Sequence, residues 1–104
     1  MYRVYGGEAN QIGRSWTPID PHTVPNYRAA AGLPPDPLNT GKWLTQGTVK
    51  NPDLIQVRPA LPFEQGDYYQ PGGLTEYYIL EELAPNPTRA IEPTGEPEPI
   101  IPPF

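Results

Sequence analysis

The first candidate for a functional residue in this sequence is Glu76, whose type and setting suit a catalytic or binding role. It follows a Pro-Gly-Gly turn at 71–73 and lies inside the apolar, aromatic and β-branched run 74–80, which predicts a strand. The two glycines would let a ligand approach the backbone closely. Because a buried carboxylate is costly unless it is paired, packing explains Glu76 poorly. Two interpretations stay open: a site residue, or the water-facing residue of an edge strand.

Arg3 is the second candidate. It lies between tyrosines and a valine in the β-prone run 2–5, which ends at a pair of glycines. A guanidinium fixed on a strand can hold a phosphate group through two parallel hydrogen bonds. An exposed strand arginine that stacks on its neighbours fits the same pattern, and the residues alone do not separate the two.

Ser15 and Thr17 are the third candidate, within the run Gly-Arg-Ser-Trp-Thr-Pro at 13–18. Since side chains alternate across a strand, both hydroxyls lie on one face and Trp16 lies on the other. The pattern therefore predicts a polar face that is backed by a large hydrophobic residue. Plain β-propensity, with Trp16 in the core, is the simpler interpretation of the same residues.

The only good helix signal lies at 27–31. Asn26 is a suitable N-cap and Gly32 a suitable C-terminal stop, so we expect a short helix that covers one face of a sheet. His22 is the only histidine of the chain. No cluster of Asp and Glu at ligand spacing accompanies it, so no metal site is predicted.

The remaining segments are mostly strands and turns. They predict strands at 42–49 and 54–61, a long polar and aromatic loop at 62–73, and a last short strand at 89–91. Beyond these, prolines and glutamates predict an extended, polyproline-like tail. The apolar residues expected to hold the end of the tail against the core are Ile100, Ile101 and Phe104.

Composition limits the class of protein. A chain of 104 residues is enough for one domain with a small core, and 17 prolines and 10 glycines predict a loop-rich one. The net charge of −5 argues against an electrostatic grip on nucleic acid, which needs clustered Lys and Arg. The absence of cysteine excludes disulfides and thiolate metal sites. No apolar run has membrane-spanning length and no signal peptide is recognisable, so we expect an upstream segment to carry the domain if it is exported.

These segments, in this order, resemble the R-S-E type of ADP-ribosyltransferase. The resemblance is closer to the small C-terminal toxin domains of Rhs-type polymorphic toxins, the TreTu group. The segments that carry it run nearly end to end: Tyr-Arg-Val-Tyr-Gly-Gly at 2–7, Gly-Arg-Ser-Trp-Thr-Pro at 13–18, Asn-Tyr-Arg-Ala-Ala-Ala-Gly-Leu-Pro at 26–34, Asn-Thr-Gly at 39–41, Arg-Pro-Ala-Leu-Pro at 58–62, Gly-Gly-Leu-Thr-Glu-Tyr at 72–77 and Pro-Pro-Phe at 102–104.

The resemblance implies an α+β, strand-dominated fold with a small ADP-ribosyltransferase-like split β-sheet core and one short helix. The toxin domain would span 1–92, and a proline-rich tail at 93–104 would pack on it or extend from it.

The activity that the resemblance implies cleaves the nicotinamide–ribose bond of NAD and transfers ADP-ribose to a bacterial macromolecule. The implied catalytic residues are Arg3, Ser15 and Glu76. The implied contacts to NAD are Arg3, Val4, Tyr5, Ser15, Trp16, Thr17 and Gly73.

The same resemblance implies partners and a place of action. The domain would be secreted or delivered as the C-terminal part of a larger toxin and would act in the cytoplasm of a competing bacterium. Its target would be a component of translation such as EF-Tu, and the acidic charge favours a protein over RNA. A cognate immunity protein is expected, with no membrane and no metal involved.

Alternatives remain for the function of the domain and for the residue in the second motif position, which is Ser15 or Thr45. Many R-S-E enzymes place Glu or Gln two residues before the catalytic Glu to orient the acceptor, and here that position is Leu74. An NAD glycohydrolase, with water as acceptor, uses the same site. Thr45 could take the role given to Ser15. A third, non-enzymatic interpretation is an interaction module whose proline-rich tail binds aromatic grooves.

Overall fold

The β-branched and aromatic runs of the sequence form short strands. The structure is a computed structural model that describes residues 1–104. Its strands are β1 (Tyr2–Tyr5), β2 (Ser15–Trp16), β3 (Trp43–Val49), β4 (Ile55–Pro59), β5 (Phe63–Gln65), β6 (Tyr68–Gln70), β7 (Thr75–Ile79) and β8 (Ile91–Pro99). The single α-helix is α1 (Tyr27–Ala30), and single 3₁₀ turns lie at Pro21–Thr23, Pro52–Leu54 and Pro87–Arg89.

The strands make three small antiparallel sheets. Two have three strands, in the orders β1-β3-β8 and β2-β7-β4, and the third is the hairpin β5-β6. The two larger sheets meet where Tyr2 and Thr17 exchange main-chain hydrogen bonds of 2.8 and 2.9 Å. The prediction of a strand-dominated domain with one short helix is therefore confirmed. No helix is long and apolar enough to cross a membrane.

The alternation of side chains on β2-β7-β4 separates a core face from a polar face. Trp16 and Ile79 are buried on the core face, where they pack against Ala84 and Ala90 and against Ile91 of β8. Ser15 pairs with Tyr78 across the sheet, which puts it on the opposite face. The predicted alternation is confirmed for Ser15 and Trp16, but β2 ends at Trp16 and Thr17 is buried, so the polar face does not extend to Thr17.

A second core lies between the sheet β1-β3-β8 and α1. It consists of Val4, Leu44 and Ile100 from the strands and the strand end, together with Tyr27 of the helix. As predicted, the Asn26 side chain caps the helix, by accepting a hydrogen bond from the amide of Ala29. The helix is followed by Gly32 in a left-handed conformation. The helix has only one turn because the glycine ends it.

The loop predicted at 62–73 is wrong in its first part. Residues 63–70 form the hairpin β5-β6, which turns at Gly66 with a φ of 58°. The sequence Gln-Gly-Asp at its tip supplies the residue that a tight turn with positive φ requires. The alternation in the flanking strands is short and polar, so periodicity alone did not separate this hairpin from a loop.

The tail is also more regular than the sequence predicts. Residues 91–99 form β8, an edge strand paired with β3, and this strand crosses the predicted boundary between residues 92 and 93. Ala90 and Ile100, at even positions, hydrogen-bond main-chain groups of the segment that contains β3. The odd-numbered positions therefore present their amide side to solvent, where proline's missing N–H costs nothing. Pro93 and Pro99 stand at such positions, whereas Pro97 lies in the stretch 95–97, where the register of β8 against β3 shifts.

The end of the chain is held as predicted at two of its three residues. Ile100 is buried and Phe104 packs against the second core, whereas Ile101 is 87 % exposed. Arg28 of α1 donates to the main-chain oxygen of Phe104 through Nε and Nη2, at 2.9 and 2.6 Å. The same guanidinium donates to Pro34 O and Asn39 O at 2.6 and 3.0 Å.

Replacing Arg28 with alanine is expected to destabilise the fold. The change leaves several partly buried carbonyls without their donor, at a cost of about 3 kcal/mol in the free energy of unfolding. Urea unfolding followed by tryptophan fluorescence measures the effect. Arg89→Ala is the matched control, because it removes the same charge from an exposed side chain. Equal midpoints for the two variants would contradict the role given to Arg28.

Candidate functional site

A cavity of about 440 Å³ opens where the polar face of β2-β7-β4 meets β1 and α1. Arg3, Ser15 and Glu76, which are far apart in the chain, all line it. Its apolar wall is formed by residues that follow α1 and β4 or precede β7, including Leu33, Ala60, Leu61, Phe63 and Leu74. The structure thus places the three predicted catalytic residues on one cavity of a size that suits a small-molecule ligand.

Glu76 is paired with an arginine that sequence analysis did not single out. Arg58 of β4 lies directly across from Glu76 of β7, and its Nε donates to Oε1 at 2.8 Å. The Arg58 guanidinium also lies 4.0 Å above the centre of the Tyr78 ring. The side chains of Arg58 and Glu76 are 27 % and 13 % exposed. The pair resolves the cost of burying Glu76 and fixes its carboxylate at the cavity.

One signal for Arg58 was present in the sequence. Gln56 and Arg58 alternate with apolar residues in the run 54–61, which puts their side chains on one face of a strand. That pattern predicts a polar face but not the residue opposite it. The register that joins Arg58 to Glu76 comes from the sheet, and no local pattern contains it.

Arg3 is held by two main-chain oxygens. Its Nε donates to Asn10 O at 2.9 Å and its Nη1 to Ser15 O at 3.2 Å, while Nη2 makes no hydrogen bond to the protein. Burial lowers the pKa of Arg3 from its ordinary value, but the group stays charged at neutral pH because that value is so high. Arg3 therefore presents a positioned cation with free donors at the cavity.

Gly13 makes room for this guanidinium. A Cβ at Gly13 would collide with the Nη2 and Cζ atoms of Arg3, so any larger residue must displace the arginine. Gly13 needs no unusual backbone angle, since its φ is not positive. The glycine of the run 13–18 therefore serves the position of Arg3 rather than a turn.

The hydroxyl residues occupy different environments. Ser15 lines the cavity and is exposed, but it makes no hydrogen bond to Glu76, whose side-chain partner is Arg58. Thr17 is buried, and its Oγ1 donates to Thr75 O at 2.9 Å. Thr45 is fully buried, accepts a hydrogen bond from Gln11 and does not line the cavity. Of the two candidates for the second motif position, the structure thus places only Ser15 at the cavity.

The residues expected to contact NAD are only partly collected here. Those that line the cavity are Arg3, Val4, Ser15, Trp16 and Thr17. Tyr5 lies beyond it, paired with Trp43 of β3. Gly73 also lies outside the lining, and its amide donates to Ala60 O at 2.9 Å, with a φ of 104°. That glycine shapes the turn before Glu76.

Few charged residues line the cavity, and their net charge is positive, whereas that of the whole chain is negative. Two arginines and one glutamate line it, although the protein carries a net charge of −5. No group of three or more His, Asp or Glu side chains could hold a metal ion. Arg58 is paired with Glu76, so Arg3 is the cation left for an anionic ligand such as a phosphate ester, and the carboxylate suits a hydroxyl or a developing positive charge.

No protein-family model, curated protein or solved structure matches this chain. The chemistry of the cavity therefore carries the functional conclusion, together with the sequence motifs that its residues belong to.

Proposed function

We propose that this domain is a mono-ADP-ribosyltransferase toxin that cleaves the nicotinamide–ribose bond of NAD. The observation that supports the proposal best is the meeting of Arg3, Ser15 and Glu76 at one cavity. These are the three residues that the resemblance requires together, and they come from three separate segments of the chain.

Each residue has a role that its surroundings allow. Arg3 would hold the pyrophosphate of NAD with donors that the protein leaves free. Glu76 would hydrogen-bond a ribose hydroxyl and stabilise the oxocarbenium character that develops as the glycosidic bond breaks. Nicotinamide leaves with the electron pair of that bond. The nucleophilic atom of the acceptor then bonds to the anomeric carbon and releases its proton to solvent.

Arg58 gains a role in this reaction that its family motif does not supply. It aligns Glu76 from the neighbouring strand, with Tyr78 beneath its guanidinium. Ser15 of β2 lines the same cavity and would contact the nicotinamide side of the ligand. The turn at Pro71, Gly72 and Gly73, which precedes β7, would face the acceptor.

An NAD glycohydrolase is the second candidate, and one observation favours it. Leu74 lines the cavity at the position where a glutamate or glutamine would orient the acceptor. With a leucine there, water could reach the anomeric carbon without a competing acceptor group. The interaction-module alternative has less support, because β8 pairs with β3 and does not leave a free proline-rich chain.

The proposed setting is that of a toxin delivered into a competing bacterium as the C-terminal part of a larger protein. The acceptor would be a protein such as EF-Tu, since the acidic charge does not favour RNA. A cognate immunity protein would block the activity in the producing cell.

Incubation of the domain with adenylate-labelled NAD and a bacterial lysate tests the proposal. Label on a protein band, absent with the Glu76→Gln variant, supports a transferase. Free ADP-ribose without labelled protein supports the glycohydrolase. Unchanged NAD with correctly folded domain contradicts both enzymatic functions.

Gly13→Ala is expected to weaken the binding of ADP-ribose about tenfold while the melting temperature stays within a few degrees. The new methyl group displaces the guanidinium of Arg3, which is the far end of a flexible side chain, and leaves the backbone unstrained. Isothermal titration calorimetry and thermal melting measure the two effects.

Gly66→Ala is not a suitable control for this prediction, because Gly66 has a positive φ. Ala9→Gly, at another residue of the cavity wall, is better matched in size. Unchanged affinity in Gly13→Ala would contradict the placement of Arg3.

A further inference from the structure

Tyr27 is a rigid part of the cavity wall that the proposed mechanism does not use. It is the first residue of α1, and its ring belongs to the second core with Val4 and Ile100. The ring centre lies 5.2 Å from that of Phe104, at an angle of 40°. Only 6 % of the residue is exposed. Packing on several sides therefore fixes the direction of its hydroxyl.

The hydroxyl of Tyr27 has no partner in the protein. A buried tyrosine hydroxyl normally finds one, because an unmade hydrogen bond is costly. The single fully enclosed side-chain atom without a partner is Thr40 Oγ1, so the Tyr27 hydroxyl is not sealed inside the core. Since Tyr27 lines the cavity, a ligand bound there is the partner that its hydroxyl can reach.

The charges of Arg3 and Glu76 both affect the pKa of the Tyr27 hydroxyl. Burial raises the pKa of Tyr27 well above its ordinary value, the positive charge of Arg3 opposes the rise, and the negative charge of Glu76 adds to it. Arg3 has the larger influence of the two. The hydroxyl therefore keeps its proton at neutral pH and is available as a donor in the cavity that Arg3 also lines.

We infer that the Tyr27 hydroxyl and the Arg3 guanidinium form one two-donor site for an oxygen of a ligand diphosphate, with Tyr27 as a binding residue. Naming that ligand as the diphosphate of NAD rests on the proposed function. The site itself rests on the unpaired hydroxyl and the free guanidinium donors. A rigid neutral donor orients the ligand oxygen through a directional hydrogen bond, whereas the charge of a cation alone attracts the oxygen without fixing its orientation.

Tyr27→Phe removes one oxygen atom and leaves the packed ring in place. We expect it to weaken the binding of ADP-ribose about tenfold, the scale of one hydrogen bond to a charged group. Its melting temperature should not fall, because no hydrogen bond within the protein is lost. Isothermal titration calorimetry with ADP-ribose, and separately with inorganic pyrophosphate, measures the affinity.

Tyr68→Phe is the matched control. The Tyr68 hydroxyl donates to Leu33 O at 2.8 Å and accepts from Gln70, and Tyr68 does not line the cavity. This variant should lower the melting temperature and leave the affinity for both probes unchanged. The two tyrosines are thus expected to give opposite results in the two measurements.

The outcomes separate this inference from the proposed function. Tyr27-dependent binding of ADP-ribose in a domain that does not consume NAD would keep the diphosphate site and reject the enzyme. NAD consumption with equal affinity in Tyr27→Phe would reject the site and keep the enzyme. A lower melting temperature for Tyr27→Phe with unchanged binding, or no binding of either probe by the parent domain, would also overturn the inference.

Discussion

Glu76→Gln is expected to lower the turnover of NAD by about two orders of magnitude or more, the scale of losing one electrostatic stabiliser. The glutamine keeps the shape of the side chain and part of its hydrogen bonding but loses its charge. If that charge stabilises the ribosyl cation, its contribution grows as the bond breaks, so the affinity for NAD should change little. Single-turnover cleavage of NAD measures the chemical step.

The structure adds a second expected effect of the same substitution. From the sequence alone, loss of a catalytic carboxylate is expected to leave folding unaffected or slightly improved. The ion pair changes this expectation, because the 27 % exposed Arg58 side chain would lose its countercharge. We therefore expect the free energy of unfolding to fall by about 1 kcal/mol. The folded fraction at assay temperature should stay high enough for the loss of turnover to be measured.

Glu81→Gln and Glu82→Gln are the controls for this prediction. Both residues are exposed, and the Glu81 carboxylate lies 3.4 Å from Arg14 Nε in an ion pair at the surface. Such pairs contribute little to stability. Equal turnover in all three variants would reject the mechanism. A collapse of the melting temperature in Glu76→Gln alone, with turnover per folded molecule retained, would make Glu76 a purely structural residue.

The features that the sequence predicted well are those that depend only on residues close together in the chain. Alternation alone predicts that Ser15 and Trp16 lie on opposite faces of a strand, and the structure has that arrangement, although β2 ends before Thr17. Asn26 and Gly32 are the chemical signals of a helix start and stop, and they bound α1. Local stereochemistry decides both features, so no knowledge of the sheet was required.

The features that the sequence did not predict depend on register. Arg58 and Glu76 are 18 residues apart, and only the antiparallel pairing of β4 with β7 brings them together. The same limit applies to the tail, where prolines suggested an unpaired chain. Proline is compatible with an edge strand when its nitrogen faces outward, and that condition depends on the partner strand. The open hydroxyl of Tyr27 likewise follows from packing and not from sequence spacing.

Arg3→Ala is the second substitution with a large expected effect, and it acts on binding. Removing the guanidinium should raise the Michaelis constant for NAD about 10- to 100-fold, since hydrogen bonds to charged groups are worth more than neutral ones. Turnover at saturation should fall less, because the phosphate contact exists in the ground state as well as in the transition state. Initial rates over a range of NAD concentrations separate the two constants.

Arg3→Lys and Arg89→Ala show whether geometry or charge is responsible for that effect. Lysine keeps the charge but lacks the fork, so it cannot reach both Asn10 O and Ser15 O and still present free donors to a phosphate; only partial recovery is expected. Arg89→Ala changes the net charge equally at an exposed position and should leave the Michaelis constant unchanged. Thermal melting accompanies each assay, because Arg3 also anchors the loop that contains Asn10. If Arg3→Ala is folded and binds NAD as well as the parent does, the phosphate is held elsewhere and the diphosphate site on Arg3 and Tyr27 is rejected with it.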